Sequence, residues 1–282
     1  MQNWRLYTLI YAIFIGFFQC AKKKSVEKNS IYEVLAVFST ISFILAAITS
    51  TNAFNIDFIP LIIVFIKSII IVIAWILSLH AIKKIPISLY SVINLSKIVF
   101  SIIMSVIFLG EKLTLLLIVG AIIIILGLFF VNKVSNVKNE KETKLKTILI
   151  LLVSCLLNSI SAIIDKEVLK YINPIQLQFW FLFFLTICYW IILLFKDRKL
   201  NFKKIKKNYW VLIAAICLTV ADRFLFKANE IPESRVSAMT LIKQVSVIEG
   251  IVLGKIFFDE KNIIKKLLCS LLIIVGIVLT VI

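Results

Sequence analysis

Apolar side chains run along this chain in blocks of about twenty separated by short polar breaks, and that rhythm predicts membrane-spanning helices. The blocks lie near 4–20, 31–50, 58–79, 86–109, 113–132, 147–164, 174–195, 209–228, 236–258 and 263–282. The expected fold class is therefore an all-α membrane protein of ten transmembrane helices. The longest polar stretches, Lys133–Lys146 and Lys196–Lys207, leave no room for a soluble catalytic or nucleotide-binding domain.

Composition agrees: 61% of the 282 residues are hydrophobic and the mean hydropathy is +1.06. The formal charge of +17 would suggest nucleic acid in a soluble protein, but here the lysines fall mainly in the short connections. No nucleic acid partner is expected; the lipid bilayer is. Connections after odd-numbered spans carry 21 basic residues, against 5 on the opposite side of the membrane. Cytoplasmic loops carry the Lys and Arg excess, so the count predicts cytoplasmic odd loops and both termini outside an inner or plasma membrane. Segment 4–20 lacks a small-residue cleavage site and reads as a retained first helix, not a signal peptide. Cys20, Cys155, Cys188, Cys217 and Cys269 have no paired spacing and read as small buried hydrophobes.

The chain also resembles itself at a shift of nearly half its length. Ile85-Pro86 and Ile231-Pro232 each open an apolar helix, and each proline precedes a lysine, Lys97 and Lys243, by eleven residues. Glu111-Lys112 and Glu260-Lys261 close those helices, and sixteen residues beyond each glutamate stands a glycine, Gly127 and Gly276. The upstream offset is 146 and the downstream one 149, a difference of just under one helical turn. Repeats of five helices enter the membrane in opposite senses, so residues 1–132 and 147–282 are expected to be inverted repeats joined by a polar linker at 133–146. Many secondary carriers are laid out in this way, with the binding site near the midplane.

Pro86-Ile87-Ser88 through Phe108-Leu109-Gly110-Glu111-Lys112-Leu113-Thr114 resembles the fourth helix and closing Leu-Gly-Glu signature of the ten-helix EamA-type permeases of the drug/metabolite transporter superfamily. Lys243-Gln244-Val245-Ser246-Val247 through Phe257-Phe258-Asp259-Glu260-Lys261 is similar to the second-half counterpart. The usual prolines of helices four and nine are absent, with residues near Ile98 and Val247 in their place. The resemblance implies a carrier that alternates access around a central cavity, helices four and nine lining it and five and ten peripheral. Many relatives are described with cytoplasmic termini, opposite to the charge count.

Ionisable groups deep in a span cost about 2.5–3.5 kcal/mol on insertion scales and usually face a cavity or a partner. Lys97 lies midway along its span, and helical spacing puts Tyr90, Asn94, Ser101 and Ser105 on the same face as a polar stripe. Lys243 has Ser246, Gly250 and Gly254 on its side, and Lys67 is midway along the third span. A snorkelling side chain or a fixed ion pair weighs equally for any one of these lysines; two in matching helices of a repeat point to function. The candidate substrate-binding residues are thus Lys97, Lys243, Asn94, Tyr90, Ser101, Ser246, Arg223 and Lys67, with Asp222 and Glu249 as candidates for ion or proton coupling. Glu249 is expected to pair structurally with Arg223, and Gly250-x-x-x-Gly254 to be a close helix-packing patch. Asp165-Lys166 and Lys227 read as interfacial, His80 as a satisfied interfacial side chain, and Glu111 and Glu260 as fixing the turn into the next helix.

One histidine rules out a His-Glu-x-x-His metal site, and the seven glycines supply neither a phosphate-cradling loop nor a Gly-x-Ser-x-Gly elbow. No enzyme activity, metal or cofactor is expected, and transport would run on gradients or exchange. A non-transporting scaffold, accessory subunit or channel is the alternative class. The first helix holds no Asp or Glu to attract a lipophilic cation, so a small organic anion or zwitterion ranks above a cationic drug. A homodimer is carried as an open alternative to a monomer.

Overall fold

The structure is a computed structural model that describes residues 4–50, 53–84, 93–94, 96–134, 145–196, 205, 207–258 and 262–281. Among these every regular element is a helix: α1 (Trp4–Lys28), α2 (Ile31–Ile48), α3 (Phe58–Lys84), α4 (Ser96–Leu109), α5 (Leu115–Val134), α6 (Leu145–Val168), α7 (Pro174–Lys196), α8 (Tyr209–Glu230), α9 (Val236–Ile242), α10 (Val245–Phe258) and α11 (Ile263–Val281). With α9 and α10 as two halves of one span, these are the ten helices the apolar blocks predict. Six segments are long and apolar enough, by length and composition, to cross a membrane. Ile59, Leu115, Phe195 and Ile264 stand almost bare on outer faces, an arrangement suited to hydrocarbon.

The first helix runs past the expected residue 20 to Lys28, so Lys22–Lys24 sit on the helix instead of after it. Lysines are good helix formers, and Ser25 Oγ donates to Lys22 O at 2.8 Å.

Two compact units emerge, and each draws on both sequence repeats: Met1–Val72 with Ile164–Pro232, and Ile73–Ile163 with Glu233–Ile282. In the first unit α1 lies along α8, and α2 packs on α7 and α8. Small residues permit this approach: Ala36, Ser39, Ser42 and Ala46 on α2 and Ala214, Ala215 and Ala221 on α8 are all buried. With backbones this close, Ser42 Oγ donates to Ala215 O at 3.2 Å. Trp190 Nε1 reaches Thr40 Oγ1 at 2.8 Å, and Trp180 Nε1 reaches Ala53 O at 2.9 Å, so the half-buried indoles keep their polar edges satisfied. Lys166 Nζ donates to the carbonyls of Asn229 and Ile231, closing the C-terminal end of α8, where a cation suits the helix dipole.

In the second unit α5 and α11 form the most extensive pair. A Cβ built on Gly127 would stand 3.0 Å from Ile273 Cγ1, and one on Gly276 would stand 2.5 Å from Ile124 Cγ1. Gly127 and Gly276, like Ile124 and Ile273, are separated by 149 positions. The downstream register of the repeat is thus realised as a reciprocal contact. By contrast, a Cβ at Gly250 would meet nothing within 4 Å among the described residues.

The ninth span is broken. Gln244 N donates to Leu241 O, Ser246 N to Lys243 O and Val247 N to Gln244 O, all three-residue bonds that tighten the helix between α9 and α10. Two nearby side chains attend the exposed carbonyls, Gln244 Nε2 on Thr240 O at 2.9 Å and Ser246 Oγ on Lys243 O at 2.8 Å. The break thus arises without a helix-nine proline. Lys243 is the C-cap of α9, and Glu249 stands beyond the break on α10.

Leu-Gly-Glu ends α4 in a definite way. Leu109 is the last helical residue, and Gly110 takes a φ of +63° that side chains other than glycine rarely accept. Glu111 then accepts from Val236 N at 2.5 Å, from Ser237 N at 3.2 Å and from Ser237 Oγ. Its carboxylate thus caps α9 of the other repeat, whereas the sequence reading had it fixing the turn into its own next helix. Loss of a cap costs about 0.5–2 kcal/mol. Glu111→Ala should lower the unfolding temperature in detergent accordingly, and Glu111→Gln, which keeps one acceptor, should lower it less. Equal and negligible shifts would remove the capping role. Glu260 and Pro86 lie outside the described residues, as does Tyr90.

Candidate functional site

Within the first unit, a lysine on α3 meets a carboxylate on α6. Lys67 Nζ stands 2.5 Å from Asp165 Oδ1, and the two side chains are 2% and 7% exposed. The ammonium also lies over two aromatic faces, 3.7 Å from the Phe181 ring centroid on α7 and 4.6 Å from that of Phe226 on α8. Ring quadrupoles attract a desolvated cation, so three walls of this box carry complementary charge. Tyr11 on α1 is within electrostatic reach of both Asp165 and the buried Asp222 of α8. Asp165 is therefore no interfacial residue. The apolar block was drawn to end at 164, but α6 continues to Val168 and carries the carboxylate into the core.

Next to Asp222, Arg223 Nε donates to Gln178 Oε1 and its Nη2 to Thr49 Oγ1 at 3.0 Å. Gln178 Nε2 in turn donates to Thr219 O at 2.6 Å. The guanidinium is held by neutral acceptors of its own unit. Glu249, on α10 of the second unit, has both carboxylate oxygens buried with no hydrogen-bond partner.

In the second unit Lys97 makes no hydrogen bond or ion pair through its ammonium with any described residue, although its backbone carbonyl accepts from Ser159 Oγ at 3.4 Å. One turn along α4, Ser101 Oγ and Thr240 Oγ1 of α9 are 2.9 Å apart. The Thr240 proton goes to Val236 O at 2.8 Å, so Ser101 is the donor. Thr240 is one turn before Lys243, and the two repeat-related lysines therefore stand on helices in direct contact. The polar stripe on α4 is thus divided in use. Ser101 and Ser105 are buried, Ser101 joining α4 to α9, while half-buried Asn94 lies 3.6 Å from Cys155 Sγ. Ser246 serves the helix break. His80 Nδ1 lies 2.8 Å from Ile76 O and is satisfied, and none of the five cysteines forms a disulfide among the described residues.

Sequence reasoning missed Tyr11, Asp165, Gln178, Phe181 and Phe226. Aromatic and amide side chains in an apolar block carry no periodic signal of their own, and Asp165 stood beyond the window that defined its span.

The model of the EamA-like transporter family matches residues 2–133 and 145–282. One solved crystal structure superposes with a TM-score of 0.75, covering 98% of this chain and 96% of its own, at 12% identity; that likeness speaks to fold alone. No curated protein matches the chain by sequence.

Proposed function

Because the chain belongs to the EamA-like transporter family, an integral membrane family of carriers, we propose that it is a secondary transporter, driven by a gradient or by exchange, that moves a small organic metabolite by alternating access. The substrate class we infer is zwitterionic or anionic. One observation carries the charge reading: Lys97 stands in the first turn of the apolar helix α4, and its ammonium has no anionic partner among the described residues. A buried cation in that state favours a ligand that supplies the missing anion, through charge-assisted hydrogen bonds.

The charges singled out within the apolar spans refine that reading. Against Lys67, Lys97, Lys243 and Arg223 stand Asp165, Asp222 and Glu249, one carboxylate more than the sequence suggested. Near-neutrality suits a zwitterion better than a multiply charged anion. Asp222 and Glu249 remain the candidate coupling groups, Glu249 the stronger because no hydrogen bond fixes its charge.

A thermal-shift screen of amino acids, organic acids and phosphorylated metabolites would identify a ligand, since one that binds only the folded state stabilises it by mass action. Lys97→Ala and Lys243→Ala should each weaken that ligand by roughly 30-fold or more, about 2 kcal/mol for truncating one side of a buried charge contact. Equal stabilisation of wild type and both variants by quaternary ammonium compounds, with no effect of any anion, would instead indicate cation efflux. In liposomes, saturable uptake stimulated by counterflow is expected. Ohmic flux would mean a channel, and no flux a scaffold or accessory subunit.

A further inference from the structure

We propose that Asp165, Phe181 and Phe226 form a recognition site for an organic ammonium group, with the Lys67 side chain as its tethered occupant. The argument starts from what each wall offers. Asp165 supplies the negative charge at 2.5 Å, and the two phenylalanine faces supply induced and quadrupolar attraction at 3.7 and 4.6 Å. Among the described residues every attraction of the Lys67 ammonium is of this kind, one carboxylate and two rings, with no backbone carbonyl among its partners. A lysine that merely completes a helix end looks different here: Lys166 is met by backbone carbonyls of Asn229 and Ile231. A box of one carboxylate and facing aromatic rings is the general chemistry for holding substituted ammonium ions.

Purely structural packing gives no reason for such a box. A buried ion pair replaced by well-fitted apolar residues of similar volume is often no less stable, so the pair is not needed to join α3 to α6. The second carboxylate in the neighbourhood, Asp222, shares Tyr11 with Asp165 and keeps the region attractive to a cation when Lys67 withdraws. The amine end of a zwitterionic solute fits these walls. That use in transport rests on the carrier reading above, whereas the ammonium site itself does not.

Lys67→Ala removes three methylenes and the ammonium, a volume that n-propylammonium matches. Thermal unfolding of the full-length purified protein in detergent should show n-propylammonium raising the unfolding temperature of Lys67→Ala saturably. It should leave wild type, whose box is filled, and Lys67→Ala/Asp165→Asn, whose charge is gone, unshifted; n-propanol should shift none of them. Stabilisation of all three proteins alike by the amine, or of none, overturns the site. Should Lys67→Ala fail to fold by itself, its recovery when it is extracted and purified in n-propylammonium, but not in n-propanol, supports the proposal. Failure in both while Lys67→Ala/Asp165→Asn folds overturns it. Because no transport is measured, a negative result here leaves the carrier reading standing, and absent liposome uptake leaves the site standing.

Discussion

Lys67→Met should unfold far more readily than Lys67→Met/Asp165→Leu, although the second protein carries one substitution more. The single change leaves Asp165 ionised in the core, facing the negative faces of Phe181 and Phe226 that had served the ammonium. Breaking a buried pair from one side costs about 3–5 kcal/mol, while replacing both partners by apolar groups of like volume is often close to neutral. Chemical or thermal unfolding in one detergent would measure the difference. If single and double variants unfold together, Asp165 is not charged in this box and the electrostatic account of the first unit fails.

Gly276→Ala should be more damaging than the alanine substitutions of Gly127 and Gly250. Its new methyl would lie 2.5 Å from Ile124 Cγ1 and 2.7 Å from Gly120 O. The isoleucine can rotate, but the carbonyl is backbone, so α5 itself must move away from α11. Overpacking of this sort costs about 1–3 kcal/mol. Gly127→Ala meets its nearest atoms at 3.0 Å, both on side chains, and should cost less. Gly250→Ala meets nothing within 4 Å and should be neutral or stabilising, since alanine is the better helix former by about 1 kcal/mol. An unfolding order other than Gly250, Gly127, Gly276, from mildest to most severe, would contradict the packing described for the second unit.

The number of spans was legible in the sequence because hydrocarbon thickness sets block length directly, and the repeat was legible because Gly127 and Gly276 keep their spacing from Glu111 and Glu260. What sequence could not assign was partnership. Lys67 and Asp165 lie 98 positions apart, and nothing local in either segment names the other. The same holds for Glu111, whose signature motif is visible but whose cap on Val236 and Ser237 belongs to a helix of the other repeat. The break at Lys243-Gln244 was obscured for another reason: the expected breaker, proline, is absent, and the tight turn rests on local hydrogen bonds by Gln244 and Ser246. Lys97 and Lys243 stood out by insertion cost, by the polar stripe beside Lys97 and by their places in the repeat; α4 and α9 meet through Ser101 and Thr240.

The reciprocal contact of Gly127 with Ile273 and Gly276 with Ile124 is of the kind two identical subunits make across a two-fold axis, when one glycine and one isoleucine suffice for both halves of the contact. In an antiparallel dimer of single five-helix chains, any substitution at that glycine would strike the interface twice at once. Fusion into one chain separates the two risks, so each side can change while the other holds. The separation already shows in the fit: a methyl on one glycine would come within 2.5 Å of its isoleucine, and on the other only within 3.0 Å. The two faces of the contact thus keep different tolerances.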